Sequence, residues 1–436
     1  MPGPRTVPRS PRPYEGALDR FADDLFGHLP RADQRRWAHT YLRGLLLSPD
    51  RKSPRRMAAA LREPANTADS LRQFVHQSPW DWAPARTRLA LRALAHGASA
   101  HHLPGHHPPG HHPPGHHLPG HHLPGRQPPL AWVADLAVIP KAGRASPGVH
   151  RRHLPHLGRT VNCQVAMGLF LACGPTALPV EWSLFVDREW AADEQRRARA
   201  RMPDVVGHRT PEDQIPELAE WAAAHLPAPT PPLVASLKGA PHAAALIARM
   251  NRHGVRFVVE VRPGQPVLLD PPHPGQGARE GSPVTWGGAI DAHDALRLAG
   301  RRQVRQFRPS EAHREPLPVA TLTADVRLPG PPESATGPAP GTYRLLARQS
   351  TAPRPPRYWV TNLTDARPED VLALARLRPR ARESIRALGE DFGLLDFEGR
   401  SFPGWHHHMT LVSAAYGFHR MEARGRPLGS DRRPPA

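Results

Sequence analysis

Lysine is nearly missing from this 436-residue chain: Lys52, Lys141 and Lys238 are three of 58 basic residues, and the rest are arginine. Arginine offers a planar fork of donors suited to bidentate phosphate contact. Cysteine is scarce too. Cys163 and Cys173 stand ten apart with no Cys-x-x-Cys spacing, which excludes a disulfide scaffold and a cysteine zinc site. Long apolar runs are also lacking. Nothing approaches the roughly 18 residues of a membrane span. The opening MPGPRTVPRSPRPYEG has no apolar core of a secretory signal. A cytoplasmic protein with no membrane partner is the expectation.

Acid is in deficit, with 39 Asp and Glu leaving a formal charge of +19. The excess is uneven. Residues 1–100 carry 17 basic side chains against 9 acidic ones, and 141–160 carry Lys141, Arg144, Arg151, Arg152 and Arg159 with no acid. Such clusters attract polyanions by releasing counterions. A coding bias toward Arg, Ala, Pro and Gly is the plainer source of the same composition.

Proline, at 56 residues, gathers at the N-terminus and around 103–129, 263–276 and 328–340. It fixes φ and removes a donor, so these stretches read as linkers and loops. Residues 1–97 read as a basic helical region. Trp37, Tyr41 and Leu45 recur every fourth position beside Ala38, Leu42 and Leu46 across 17–47, and a second helical patch covers 84–95. Residues 101–125 are five His-His-Leu/Pro-Pro-Gly repeats, a linker (98–130) whose imidazoles would suit Zn²⁺ or Ni²⁺ or mark a slipped tandem repeat with no role.

Strands begin at 131–139, followed by 159–172 and 180–186. A helix at 211–226, a strand at 232–237, a helix at 241–253 and a strand at 255–261 complete the first part of a core, 131–261. Residues 262–340 are poorly periodic and read as an insertion. The core resumes at 341–423 with strands at 342–348 and 357–361 and helices at 368–379, 381–392 and 405–421, and a basic tail follows at 424–436. Alternating strands and helices predict an α/β fold with a mixed sheet. Asp135 stands alone inside the apolar AWVADLAVI. A carboxylate there is costly unless it is paired or holds a metal, and two-metal phosphoryl transfer needs such acids.

Several blocks together resemble the bacterial insertion-sequence transposases of the DDE superfamily. They are the strand bearing Asp135, Pro140-Lys141-Ala142-Gly143, Gly148-Val149, Asn162-Cys163-Gln164-Val165 and Pro179-Val180-Glu181-Trp182-Ser183-Leu184. RKS at 51–53 and QSPWDW at 77–82 resemble the family's N-terminal region. YWVTNL at 358–363 and DFEGRSFPGWHHHMTLVSAAYGF at 396–418 resemble its C-terminal block. The resemblance implies a ribonuclease-H-like core and Mg²⁺- or Mn²⁺-dependent cleavage and joining of DNA. It also implies DNA as partner, association with the nucleoid, and action as a homodimer.

Carried over by position, Asp135 is the first metal ligand, and its usual acidic neighbour is Leu136. The second acid falls on Ser236, with Lys238 close by. The third falls on Arg382, its customary lysine on Gly389. Glu383, one residue on, and Glu398 are the alternative third acids. Lys141, Arg144, Arg151, Arg152, Arg159 and Arg400 are the expected DNA contacts. His406–His408 suit either phosphate contact or packing. With this acid set the resemblance implies impaired cleavage; a non-catalytic DNA-binding or regulatory descendant is the alternative, and metal sequestration by the repeats a third reading.

Overall fold

A computed structural model describes residues 12–102, 129–154, 158–269, 288–299, 301–306, 318–329, 341–349 and 355–422. Nearly all of the His-Pro-Gly repeat, much of 262–340 and the basic tail lie outside the described residues.

Five helices come first: α1 (Arg12–Phe26), α2 (Ala32–Leu47), α3 (Pro54–Leu61), α4 (Thr67–His76) and α5 (Ala83–His102). The helical pattern over 17–47 is divided at 27–31, where Gly27 and Pro30 interrupt it. α3 starts on Ser53, whose hydroxyl accepts from Arg56 N, with Pro54 as first helical residue. The helices at α3 and α4 were not foreseen, because each is short and flanked by turn-forming residues.

The sheet is built from β1 (Leu130–Pro140), β2 (His150–Leu154), β3 (Arg159–Cys173), β4 (Thr176–Leu184), β5 (Leu233–Ser236) and β6 (Phe257–Val261). Between β4 and β6 lie α6 (Arg188–Ala192), α7 (Glu194–Ala200), α8 (Gln214–His225) and α9 (Ala243–Arg252). β4, β3 and β1 run antiparallel to their neighbours, while β1, β5 and β6 are parallel. The lateral order β4-β3-β1-β5-β6 is the ribonuclease-H-like arrangement expected from the sequence.

Antiparallel strands then widen this core. β7 (Pro266–Leu268) and β8 (Ala289–Asp291) form a separate pair, followed by α10 (Ala292–Ala299). β9 (Arg301–Gln306), β10 (Pro318–Val326), β11 (Tyr343–Gln349) and β12 (Arg357–Thr361) continue the main sheet in the order β6-β12-β11-β10-β9. Among the described residues, the stretch read as an insertion therefore contributes two strands to a ten-stranded sheet. α11 (Pro368–Ala375), α12 (Arg378–Asp391) and α13 (Phe402–Glu422) close the chain.

α13 is buried from Phe402 almost without interruption to Phe418. One flank meets the sheet and α12: Trp182 Nε1 donates to Ser413 Oγ at 2.8 Å, and Tyr416 OH donates to Ser384 Oγ at 3.0 Å. The other meets the N-terminal helices, with Phe21 and Phe418 rings 5.3 Å apart. Burying a large apolar side chain contributes about 1.5–3 kcal/mol, so this helix joins the helical layer to the sheet.

Candidate functional site

Of the residues assigned to the catalytic acids, Asp135 lies midway along β1 and Ser236 ends the neighbouring β5; Glu260, near the end of β6, joins them. Val133 pairs with Val234 across the parallel β1–β5 ladder, and extending that register by two residues sets Asp135 beside Ser236. Ser236 pairs in turn with Glu260 on β6. Across the antiparallel ladder Asp135 faces Gly168. A Cβ there would come within 2.7 Å of the Phe170 and Trp182 rings, so glycine lets β3 pack this closely.

Asp135 and Glu260 are both buried, at 5% and 4% exposure, and both meet arginine. Arg378 donates through Nη2 to Asp135 Oδ1 and through Nη1 to Glu260 Oε2, each at 3.1 Å. Arg382 Nε donates to Asp135 Oδ2 at 3.0 Å. Arg357 holds Glu260 with two hydrogen bonds of 2.8 and 2.9 Å, and Lys238 Nζ lies 3.6 Å from Glu260 Oε1. Burial alone would raise the Glu260 pKa. The Arg357 hydrogen bonds and charge, with Lys238 and Arg378, outweigh it and hold the carboxyl below its usual range.

The third-acid position thus reaches Asp135, but carries a guanidinium. Glu383 is directed elsewhere and pairs with Arg380 at 3.0 Å; one residue turns an α-helix by about 100°. Glu398 pairs with Arg51 at 2.5 Å. Neither is among the partners of Asp135.

Two divalent ions need several carboxylates with free oxygens. Among the described residues no group of three or more His, Cys, Asp or Glu is placed to hold a metal. Both Asp135 oxygens accept from arginine, Ser236 is neutral, and Lys238 and Arg382 would repel a cation. These residues do not fit a Mg²⁺ or Mn²⁺ pair.

The expected DNA contacts separate into two sets. Arg144, Arg151, Arg159 and Arg400 are exposed, and Arg152 is half-buried. Arg151, Arg152 and Arg159 lie on the β2–β3 hairpin. Lys141 turns inward: Nζ donates to Phe397 O at 2.5 Å and lies 5.5 Å from that ring. Burial lowers its pKa to about 8, against the pull of Asp396 and Glu398.

Two of the family-like blocks meet near Lys141. Lys52 N donates to Asp396 Oδ2 at 2.8 Å, and Arg51 Nε lies 3.6 Å from Asp396 Oδ1. Gly393, at φ +80, admits the Lys52 side chain where a Cβ would lie 2.6 Å from its Cγ.

His406–His408 are buried, which favours packing over phosphate contact. The His406 ring stacks on Trp82 at 4.5 Å, and the His407 ring on Trp80 at 3.9 Å. His407 Nδ1 and Nε2 lie 2.9 and 2.8 Å from Val75 O and Trp80 O. His408 Nε2 lies 2.9 Å from Gly393 O, and Nδ1 3.3 Å from Tyr41 OH.

Burial lowers the pKa of His407 to about 4 and that of His408 to about 3, from a usual 6.5. The folded state therefore binds fewer protons than the unfolded chain between these values. Their contribution to stability is full above about pH 6.5 and falls as pH drops toward 3–4, by about 1.4 kcal/mol per histidine per pH unit. Urea unfolding midpoints between pH 7 and about 4.5 should decline accordingly; a flat profile would contradict the burial argument.

Sequence reasoning passed over Glu260, Arg357 and Arg378. Glu260 gave the same signal as Asp135, one acid inside an apolar strand, VRFVVEV. Arg378 had no local signal, because its role depends on two carboxylates from distant strands.

The strand order defines a ribonuclease-H-like core. A family model described as DDE superfamily endonuclease matches residues 24–103 and 117–314. The chain belongs to this family, and with it to the DDE-type transposases. No curated protein matches it. Members of this family generally use divalent metals, and among the described residues no helix is long and apolar enough to cross a membrane.

Proposed function

We propose that this protein binds DNA as a DDE-family transposase derivative in which metal-dependent strand cleavage is impaired. The observation that carries this reading is Asp135: both its carboxylate oxygens are held by Arg378 and Arg382. In the ancestral reaction the metals would activate water against the phosphodiester and then the freed 3′-hydroxyl against target DNA. Here the guanidinium groups neutralise Asp135 instead, and no deprotonated nucleophile is supplied.

DNA binding is supported by the +19 charge and by the exposed arginines of the β2–β3 hairpin. A regulatory role through binding alone is the form this reading takes where the gene lies outside any mobile element. Purified protein should retard duplex DNA in EDTA and leave supercoiled plasmid intact in Mg²⁺ or Mn²⁺. Nicking that requires Mn²⁺ and disappears in Asp135→Ala would reject the impairment; failure to retard DNA at low salt would reject the binding.

A further inference from the structure

The old acid centre has become cationic on its open side. Four cations surround two carboxylates, and burial is divided unequally between them. Asp135 and Glu260 side chains are 5% exposed, whereas Arg382 is 62%, Lys238 52% and Arg357 42% exposed. Arg378, at 14%, bridges the two acids from within. Solvent therefore meets guanidinium and ammonium groups, with the negative charge sealed behind them. Among the described residues only Nε of Arg382 is engaged, leaving its terminal nitrogens without a partner on a side chain 62% exposed. Among the described residues Lys238 is held by one ion pair, at 3.6 Å. Ser236, half-buried at the end of β5, precedes Lys238 by two residues.

We propose that this cluster is a metal-free clamp for a backbone phosphate of duplex DNA, with Arg382 and Lys238 as the contacting residues and Arg378 as the positioning residue. This rests on the DNA-binding reading above and assigns that binding to a particular place. The chemistry favours a phosphodiester. It carries one delocalised negative charge, its oxygens match the arginine fork, and an excess of two positive charges surrounds the site. A divalent cation would meet repulsion where the phosphate meets attraction. The geometry inverts the usual order of charges, since fixed side-chain cations stand where diffusible ones would lie between acid and phosphate.

The test is fluorescence anisotropy of a labelled duplex in EDTA across a salt series, with the parent, Lys238→Ala, Arg382→Ala and the double variant. Each loss of a phosphate contact lowers the slope of log affinity against log salt by about 0.9. Both single variants should show that reduction, the double variant about twice it, and Lys238→Arg should restore the parental slope. Thermal melts check that the variants remain folded; Lys238→Ala leaves the Asp135 pairs untouched. Parental slopes in both alanine variants would overturn the clamp while the DNA-binding reading stands. No binding by the parent would overturn that reading itself. Inorganic phosphate at matched ionic strength is an added arm: efficient displacement of the duplex would mean a small-anion site and overturn the DNA assignment.

Discussion

Arg86→Ala is expected to destabilise the protein by about 3–5 kcal/mol, the usual cost of removing one partner from a buried ion pair. Arg86 is fully buried on α5, and its guanidinium is committed in every direction. It pairs with Glu181 on β4 and donates to Thr410 Oγ1 at 2.7 Å, His406 O at 3.0 Å and Trp182 O at 3.2 Å. His406 Nδ1, 3.1 Å away, faces the same nitrogen. Truncation leaves the Glu181 carboxylate, 12% exposed, without its countercharge, and removes a donor from the Trp182 and His406 carbonyls. Replacing both charges with apolar residues of similar volume, as in Arg86→Met with Glu181→Leu, should recover much of the loss. Urea denaturation of the two variants is the check. A single-variant loss below about 1 kcal/mol would place Arg86 among the weak surface pairs and contradict its role as a joint between layers.

A gain of function is the second large effect. Ser236→Asp combined with Arg382→Glu replaces a hydroxyl and a guanidinium with carboxylates at the two positions that the family resemblance assigns to the second and third acids. The double variant should bind Mn²⁺ where the parent does not, seen by titration calorimetry. It should also nick plasmid DNA at least about 10²-fold faster than the parent, the scale on which single charge-stabilising groups act. Arg378 remains across Asp135 and Glu260 and keeps the gain below that of an intact acid set. Absence of Mn²⁺ binding in a variant that melts normally would mean that the middle of β1 and the start of α12 are not arranged for metal, and would remove the catalytic ancestry of this cluster.

Most of the core was legible before the structure. Strands at 131–139 and 159–172 emerged from largely apolar runs, the first interrupted by Asp135, and the helices of 368–421 from their periodicity. β9 and β10 were not, because turn-rich flanks hide short strands whose partners lie far along the chain. The site was half legible. Asp135, Ser236 and Arg382 were assigned by block resemblance, and the structure joins Arg382 to Asp135 by a hydrogen bond. Sequence offered no way to see that Arg382 and Arg378 both reach Asp135. Spacing along a helix tells which side chains share a face, but not which strand they meet. Lys141 was misleading for the same reason: a basic cluster in sequence divided into one inward cation and several outward ones once β1 paired with β3.

The long central helix, enclosed along nearly its whole length, has a consequence for how the protein meets its ligand. Tryptophans from the segment before α5 stack on its histidines, and the sheet occupies its opposite flank. Removing the first hundred residues would strip the cover from one side of this shared interior. The N-terminal helices are thus poorly suited to act as a tethered reading head swinging free of the nuclease core.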